Sequence, residues 1–294
     1  MQDFVYERPQ TMAQAVALLR RGDARVLAGG TDLIAQMREG RRSVGCIVDI
    51  KRIGELTGIL PLPEGGVAIG AAVTAATVSR SSPIAANFPA VARAARLIGG
   101  VQVQNRASLG GNICNAAPSA DAVPALVCHA AEARIAGPTG TRQLPLETLF
   151  IGPGKTTIER GELLVSIVLP PPSARSAVAY LRFTPRREMD IAIAGAGTYL
   201  RLDQGGVIAE ARVTLASVGP TPMRAPLAEQ RLVGERPTRA LLAEVGRCAA
   251  RDARPISDTR GSADYRRSLI AVLTMRALGD CCGQLGMDLE ASSK

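Results

Sequence analysis

Three consecutive prolines, Pro170-Pro171-Pro172, follow an apolar run over residues 163–169. Proline has no backbone N–H to give to a sheet and holds its own φ fixed, so the run ends a strand and no regular element continues through it. The chain therefore divides here. One unit is expected over residues 1–174 and a second over 175–294. A length of 294 residues is more than one compact core usually needs, which agrees with the division.

The first unit reads as two lobes, about 1–55 and 56–174. Thr11 can cap a helix over 11–19, whose Val16, Leu18 and Leu19 form an apolar side. Residues 25–28 form a short strand, 33–37 return to helical character, and 46–50 read as a buried strand, giving a β/α lobe. In the second lobe, 67–69 and 163–169 read as strands, and 89–98 as a helix stopped by Gly99-Gly100. Residues 101–124 are rich in Gly, Asn, Ser and Pro and predict a long ordered loop, a feature that usually serves function. Beyond the prolines, 191–202 and 207–218 flank Asp203-Gln204-Gly205-Gly206 and predict a β-hairpin, with helices at 238–251 and 263–285. Strands followed by helices make this second unit a small α+β domain.

Composition removes several function classes. The net charge is +9, but the 35 Lys and Arg are scattered, and 3% aromatics with no Trp supply few surfaces for stacking bases, so no nucleic-acid partner is expected. The positive balance suits a solvated surface or a docking face for an acidic redox partner. No apolar stretch is long enough to span a membrane, and the first residues lack a signal pattern, so a cytoplasmic location is expected. The six cysteines at 46, 114, 128, 248, 281 and 282 show no C-x-x-C spacing, so no metal or cluster ligand set is expected. They read as reduced, packed thiols, and adjacent Cys281 and Cys282 diverge on a helix. The single histidine, His129, lies in an apolar helical stretch and reads as structural.

Two glycine pairs carry the chemistry. In Val26-Leu27-Ala28-Gly29-Gly30-Thr31-Asp32-Leu33 a strand ends in glycines and a helix starts at once, which suits a pyrophosphate cradle. A simple tight turn capped by Thr31 or Asp32 has the same pattern, and no G-x-G-x-x-G supports a nicotinamide site. The second pair lies in Ser108-Leu109-Gly110-Gly111-Asn112, with Asp121 further on, and adds amide, hydroxyl and carboxylate groups that a dinucleotide could use. Residues 180–192 read as a charged loop between two strands. A cation there would stabilise a reduced flavin, but on the residues alone a solvated hairpin loop is the preferred reading.

Together these segments resemble the medium, FAD-binding subunit of the molybdenum hydroxylases, the xanthine dehydrogenase and carbon monoxide dehydrogenase family. The landmarks are LAGGTDLI at 27–34, ASLGGNICNAAPSADAVPAL at 107–126, ELLVSIVLP at 162–170, RREMDIAIAGAG at 186–197 and SDTRGSADYRRSLIAVLTMRAL at 257–278. The resemblance implies an α+β chain: a two-lobed FAD domain of the vanillyl-alcohol-oxidase (PCMH) type, then a small C-terminal α+β domain of the CO dehydrogenase flavoprotein type. It implies that Ala28, Gly29, Gly30, Thr31, Asp32 and Leu33 hold the pyrophosphate of a non-covalent FAD. Ser108, Gly110, Gly111 and Asn112 would make the second contact and Asp121 a further polar one. Leu164 would pack near the flavin, Arg182 would replace a flavin-contacting lysine, and Tyr180 would neighbour the ring. Ile98 stands where the xanthine dehydrogenases carry an aromatic contact. No residue of this chain is implied as catalytic, Asp264 and Tyr265 included.

The implied partners are a small [2Fe–2S] subunit and a large molybdopterin subunit, in a dimer of heterotrimers. Electrons would pass from the [2Fe–2S] clusters to FAD and on to NAD+, oxygen or another carrier. Two other readings stay open on the residues alone: a stand-alone flavin reductase or oxidase, and a non-enzymatic nucleotide-binding protein.

Overall fold

The computed structural model describes residues 3–289, so the outermost residues of both expected units, 1–2 and 290–294, lie outside the described residues. The first lobe contains β1 (Val5–Glu7), α1 (Met12–Leu19), β2 (Ala24–Leu27), α2 (Leu33–Arg38) and β3 (Cys46–Asp49). Its three strands are parallel in the order β1-β3-β2. Central β3 is buried along its whole length, as a strand covered on both faces must be. Thr11 caps α1 by accepting the Gln14 N–H, as its position predicts.

The second lobe opens with β4 (Ile59–Pro61) and β5 (Val67–Gly70). Six short helices follow: α3 (Ala75–Arg80), α4 (Ser82–Asn87), α5 (Pro89–Arg96), α6 (Val101–Gln104), α7 (Leu109–Cys114) and α8 (Ala122–Cys128). The chain then forms β6 (Glu132–Gly137), β7 (Gly140–Pro145), the small β8 (Phe150–Gly152) and β9 (Lys155–Thr156) pair, and β10 (Leu163–Leu169). A five-stranded antiparallel sheet runs β4-β5-β10-β6-β7, with β10 at its centre.

The expected loop over 101–124 is a correction: it holds α6, α7 and the start of α8. Its glycines are not there for looseness. A β-carbon at Gly110 would lie 2.5 Å from the Ala71 carbonyl oxygen, so α7 approaches β5's end backbone to backbone. Tertiary contact overrides the low helix propensity of such residues.

The third unit is a four-stranded antiparallel sheet, β11 (Ser176–Phe183), β12 (Ala194–Leu202), β13 (Ile208–Ala216) and β14 (Met223–Arg224), backed by α9 (Pro226–Leu232), α10 (Arg239–Asp252) and α11 (Ala263–Gln284). The predicted β12–β13 hairpin and the two long helices are present. Asp203 fastens the hairpin turn by accepting the Val207 N–H, and Gly206 takes φ 81°. The expected charged loop begins later than the sequence suggested, because Tyr180 and Arg182 lie within β11. Cys281 and Cys282 are free thiols buried in the core of this unit.

The units are not separated by solvent. Val178, Tyr180 and Tyr199 of the third unit share one apolar core with the second lobe. His129, at the C-terminal cap of α8, sits edge-on to Phe88 with ring centroids 5.1 Å apart. Burial, with Arg212 assisting, pushes its pKa down to about 4. Among the described residues no helix is long and apolar enough to cross a membrane.

Two helical glycines separate packing from propensity. A β-carbon at Gly246 in α10 would lie 2.3 Å from the Ala271 carbonyl oxygen of α11, whereas one at Gly279 meets nothing within 4 Å. Gly246→Ala should destabilise the protein by about 1–3 kcal/mol through overpacking. Gly279→Ala should stabilise it by up to about 1 kcal/mol through helix propensity. Thermal unfolding of the two variants checks both signs.

Candidate cofactor-binding site

The first and second lobes, with Met189, Asp190 and Ile191 from the β11–β12 connection, line a cleft of about 940 Å³. That is near the upper end of the roughly 300–1,000 Å³ typical of small-molecule and cofactor sites. Ala28, Gly29, Gly30, Thr31, Asp32 and Leu33 line one side of it. Ser108, Gly110, Gly111, Asn112, Asp121 and Leu164 of the predicted set line it elsewhere, together with Ile98.

The first glycine turn joins β2 to α2. A β-carbon at Gly29 would stand 1.9 Å from the Arg106 carbonyl oxygen, so only glycine fits where this turn meets the segment leading into α7. Gly30 takes φ 77°, a conformation that L side chains rarely adopt. The Lys51 ammonium donates to the Ala28 carbonyl at 3.0 Å and to Asp49 Oδ1 at 2.6 Å, while Tyr6 O–H donates to the other Asp49 oxygen. Burial raises the Asp49 pKa, but the bonds from Lys51 and Tyr6 outweigh it and leave it below the ordinary carboxylate value. The start of the turn is thus fastened to the end of β3.

Asp32 holds the N-cap position of α2, yet neither it nor Thr31 caps the helix: the Asp32 side chain makes no cap hydrogen bond. Its Oδ1 instead accepts from Asn115 Nδ2 at 3.3 Å, and Asn115 Oδ1 accepts from Gln36 Nε2 at 3.2 Å. This polar chain ties α2 to the C-cap residue of α7 across the cleft. Of the first-turn N–H groups of α2, that of Ile34 donates to Gly30 O at 3.1 Å; those of Leu33 and Ala35 have no partner inside the helix and are left to receive an anion.

The second glycine turn behaves differently. Leu109 N–H donates to Val73 O, Gly110 N–H to Ala71 O, Asn112 N–H to Ser108 O, and Gly111 N–H to the Ser108 hydroxyl that caps α7. Its backbone donors are satisfied by the protein, so its offer to a ligand is in side chains. Asn112 Oδ1 is buried in the cleft wall with no hydrogen-bond partner among the described residues. An orphaned buried acceptor is costly unless something else bonds it. The uncapped helix start, the orphaned Asn112 oxygen and the cleft's size fit a dinucleotide such as FAD.

Tyr180 and Arg182 do not line the cleft. Tyr180 O–H donates to Asp121 Oδ1 at 3.0 Å, and the Arg182 guanidinium pairs with Asp121 Oδ2. Burial pushes the Asp121 pKa up to about 6, against the charge of Arg182 and the two hydrogen bonds.

Sequence reading missed Lys51, whose charge anchors the glycine turn. The signal was present: a charged pair, Asp49 and Lys51, at the C-terminal end of a buried parallel strand, where open α/β sheets place their ligands. Arg25, Arg42 and Lys155 also line the cleft from outside any motif.

A parallel β/α lobe facing an antiparallel lobe across a donor-lined cleft makes a two-lobed nucleotide-cofactor fold. Residues 2–172 match the FAD binding domain in molybdopterin dehydrogenase, and residues 179–281 match the CO dehydrogenase flavoprotein C-terminal domain. The chain is 34% identical over 293 residues to the xanthine dehydrogenase FAD-binding subunit of Escherichia coli O157:H7, covering 99% of this chain and 100% of that one. It is 33% identical over 278 residues to the carbon monoxide dehydrogenase medium chain of Hydrogenophaga pseudoflava, covering 94% and 96%. The fold matches a chain of the solved Hydrogenophaga pseudoflava carbon monoxide dehydrogenase that lacks the Mo-pyranopterin moiety, with TM-score 0.92, 32% identity and coverage of 96% and 98%. The chain belongs to the FAD-binding subunit family of the molybdopterin dehydrogenases, and is an oxidoreductase subunit of the xanthine and carbon monoxide dehydrogenase type.

The electrostatics of Asp121 give a direct test. Its folded pKa is raised to about 6, above the ~3.9 of an unfolded chain. Folding therefore favours its protonated form, and its contribution to stability falls as pH rises from about 4 to about 6. Carbon-13 NMR of the carboxyl should show a midpoint near 6 in the FAD-free protein. Arg182→Met should raise that midpoint more than Tyr180→Phe, since the Arg182 charge is the larger opposing cause. A midpoint near that of an exposed carboxylate would contradict the buried geometry.

Proposed function

We propose that this chain is the electron-transfer subunit of a heteromeric molybdenum hydroxylase. It accepts electrons from a small [2Fe–2S] subunit and delivers them through FAD to a terminal acceptor: NAD+, oxygen or another carrier. A large molybdopterin subunit carries substrate oxidation, and the three subunits assemble as a dimer of heterotrimers in the cytoplasm. The observation that carries this reading is the cleft itself: residues from both glycine pairs, distant in sequence, line one cavity together with an unsatisfied buried acceptor, Asn112 Oδ1.

FAD, when bound, supplies the redox chemistry, exchanging electrons singly with clusters and in pairs with the final acceptor. The protein binds, orients and shields it. We assign the pyrophosphate to Ala28, Gly29, Gly30, Thr31, Asp32 and Leu33, which line the cleft where α2 begins. Ser108, Gly110, Gly111 and Asn112 form the facing contact, with Asn112 Oδ1 as an acceptor for a cofactor N–H or hydroxyl. Leu164 and Ile98 supply apolar wall, and Asp121 a polar one. The FAD is held without a covalent bond. The FAD-binding domain covers residues 1–174 and the C-terminal domain 175–294.

Two outcomes are expected. Affinity capture of the chain at native expression should bring down a smaller iron–sulfur protein and a larger molybdenum protein. Gly30→Val should abolish FAD retention, because a β-branched residue resists φ 77° and its β-carbon would press on Leu27 at 3.0 Å. Recovery of the chain alone would contradict the heteromer, and a fully flavinated Gly30→Val variant would contradict the pyrophosphate assignment.

A further inference from the structure

We propose that Tyr180 and Arg182 act on the bound flavin through Asp121, as a positioning pair that fixes the orientation and charge of one carboxylate on the cleft wall. The inference rests on the reading that FAD occupies this cleft.

Asp121 is the N-cap residue of α8, a place where aspartate ordinarily bonds the N–H groups of its own helix. This one makes no cap hydrogen bond. Both its oxygens turn to β11 instead: Oδ1 accepts from Tyr180 O–H at 3.0 Å, and Oδ2 pairs with Arg182. Tyr180 is 2% exposed and the Arg182 side chain 6%, and neither reaches the cleft surface, whereas Asp121 does. Tyr180 and Arg182 stand two apart on one strand and so point to the same face.

The neighbouring strand is shaped around this contact. The β11–β12 register sets Tyr180 opposite Gly197 and Arg182 opposite Gly195. A β-carbon at Gly195 would lie 2.8 Å from the Tyr180 hydroxyl oxygen, and one at Gly197 would lie 2.9 Å from the Pro124 carbonyl oxygen of α8. Glycine weakens a strand interior and marks a place where something must come close. Gly195 leaves room for the hydroxyl. Gly197 lets α8, which starts beside Asp121, lie down on the sheet. Strand β11 thereby reaches a residue on the cofactor cleft from behind its wall, while the β11–β12 connection lines the cleft directly with Met189, Asp190 and Ile191.

The pair has an electrostatic consequence. With Arg182 present, the ionised Asp121 is neutralised and held in one orientation. Without it, a buried carboxylate faces the flavin uncompensated, and a negative charge close to the ring disfavours electron uptake. The effect of losing Arg182 therefore depends on Asp121.

A double-mutant cycle on the FAD-loaded full chain tests this, using Arg182→Met, Asp121→Asn and the double variant. The readouts are the flavin midpoint potential and FAD affinity, taken at alkaline pH where Asp121 is ionised. Arg182→Met should lower the potential and weaken FAD binding roughly tenfold, and both effects should vanish in the Asp121→Asn background. Arg182→Lys, which keeps the charge, should restore most of the loss. Equal effects of Arg182→Met in both backgrounds would show direct contact with the ring and overturn the inference, as would no effect in either. Tyr180→Phe removes only a hydroxyl, so the same cycle built on it decides the question should Arg182→Met not fold. A wild-type full chain that binds no FAD would overturn the functional reading itself, a result distinct from additivity in a flavinated protein.

Discussion

The cleft depends on one backbone-to-backbone contact. Gly29, at the end of β2, lies against the Arg106 carbonyl so closely that no β-carbon fits between them. This contact brings the parallel lobe against the helical face of the antiparallel lobe, and the cavity is the space left beside it. Gly110 repeats the device where α7 meets Ala71. The two glycine pairs therefore have two functions. One glycine of each closes the interface between or within lobes, and the remaining positions face the cavity. Lys51 adds an ionic clasp by joining Ala28 to Asp49, and the Gln36–Asn115–Asp32 chain holds the other rim. Rigid walls of this kind lower the ordering cost of binding a large flexible cofactor.

The two turns differ in what they offer. The start of α2 lacks a side-chain cap, so the Leu33 and Ala35 amides stay available to an anion while that of Ile34 bonds Gly30 O. The start of α7 is capped by Ser108 and bonded to Val73 and Ala71, so it works as structure and presents Asn112 instead. The third unit adds a remote element. Strand β11 grips Asp121 from behind the wall, and the small residues of β12 make that grip sterically feasible.

Much of this was legible in the sequence because the signals were local. The cap at Thr11, the apolar run of β10, the Asp203–Gly206 turn and both long C-terminal helices follow from periodicity and punctuation alone. Elements that answer to distant contacts were not legible. The 101–124 segment reads as a long ordered loop because it is rich in Gly, Asn, Ser and Pro, while the fold uses Gly110 for close packing. Strand β7 is almost wholly exposed, so no alternation of apolar and polar residues announced it. At the site, twelve of the fourteen expected residues line the cleft, and Tyr180 and Arg182 stand one layer behind it. The pattern Tyr-x-Arg gives side-chain direction but not depth, and depth here is set by how far α8 sinks onto a sheet thinned by glycine.

The most direct measurement is the visible absorption spectrum of the purified chain, with the acid-released cofactor identified by chromatography. An oxidised-flavin spectrum and about one equivalent of released FAD per chain are expected. A colourless chain that takes up no added FAD, alone or co-purified with its partner subunits, would contradict the FAD assignment.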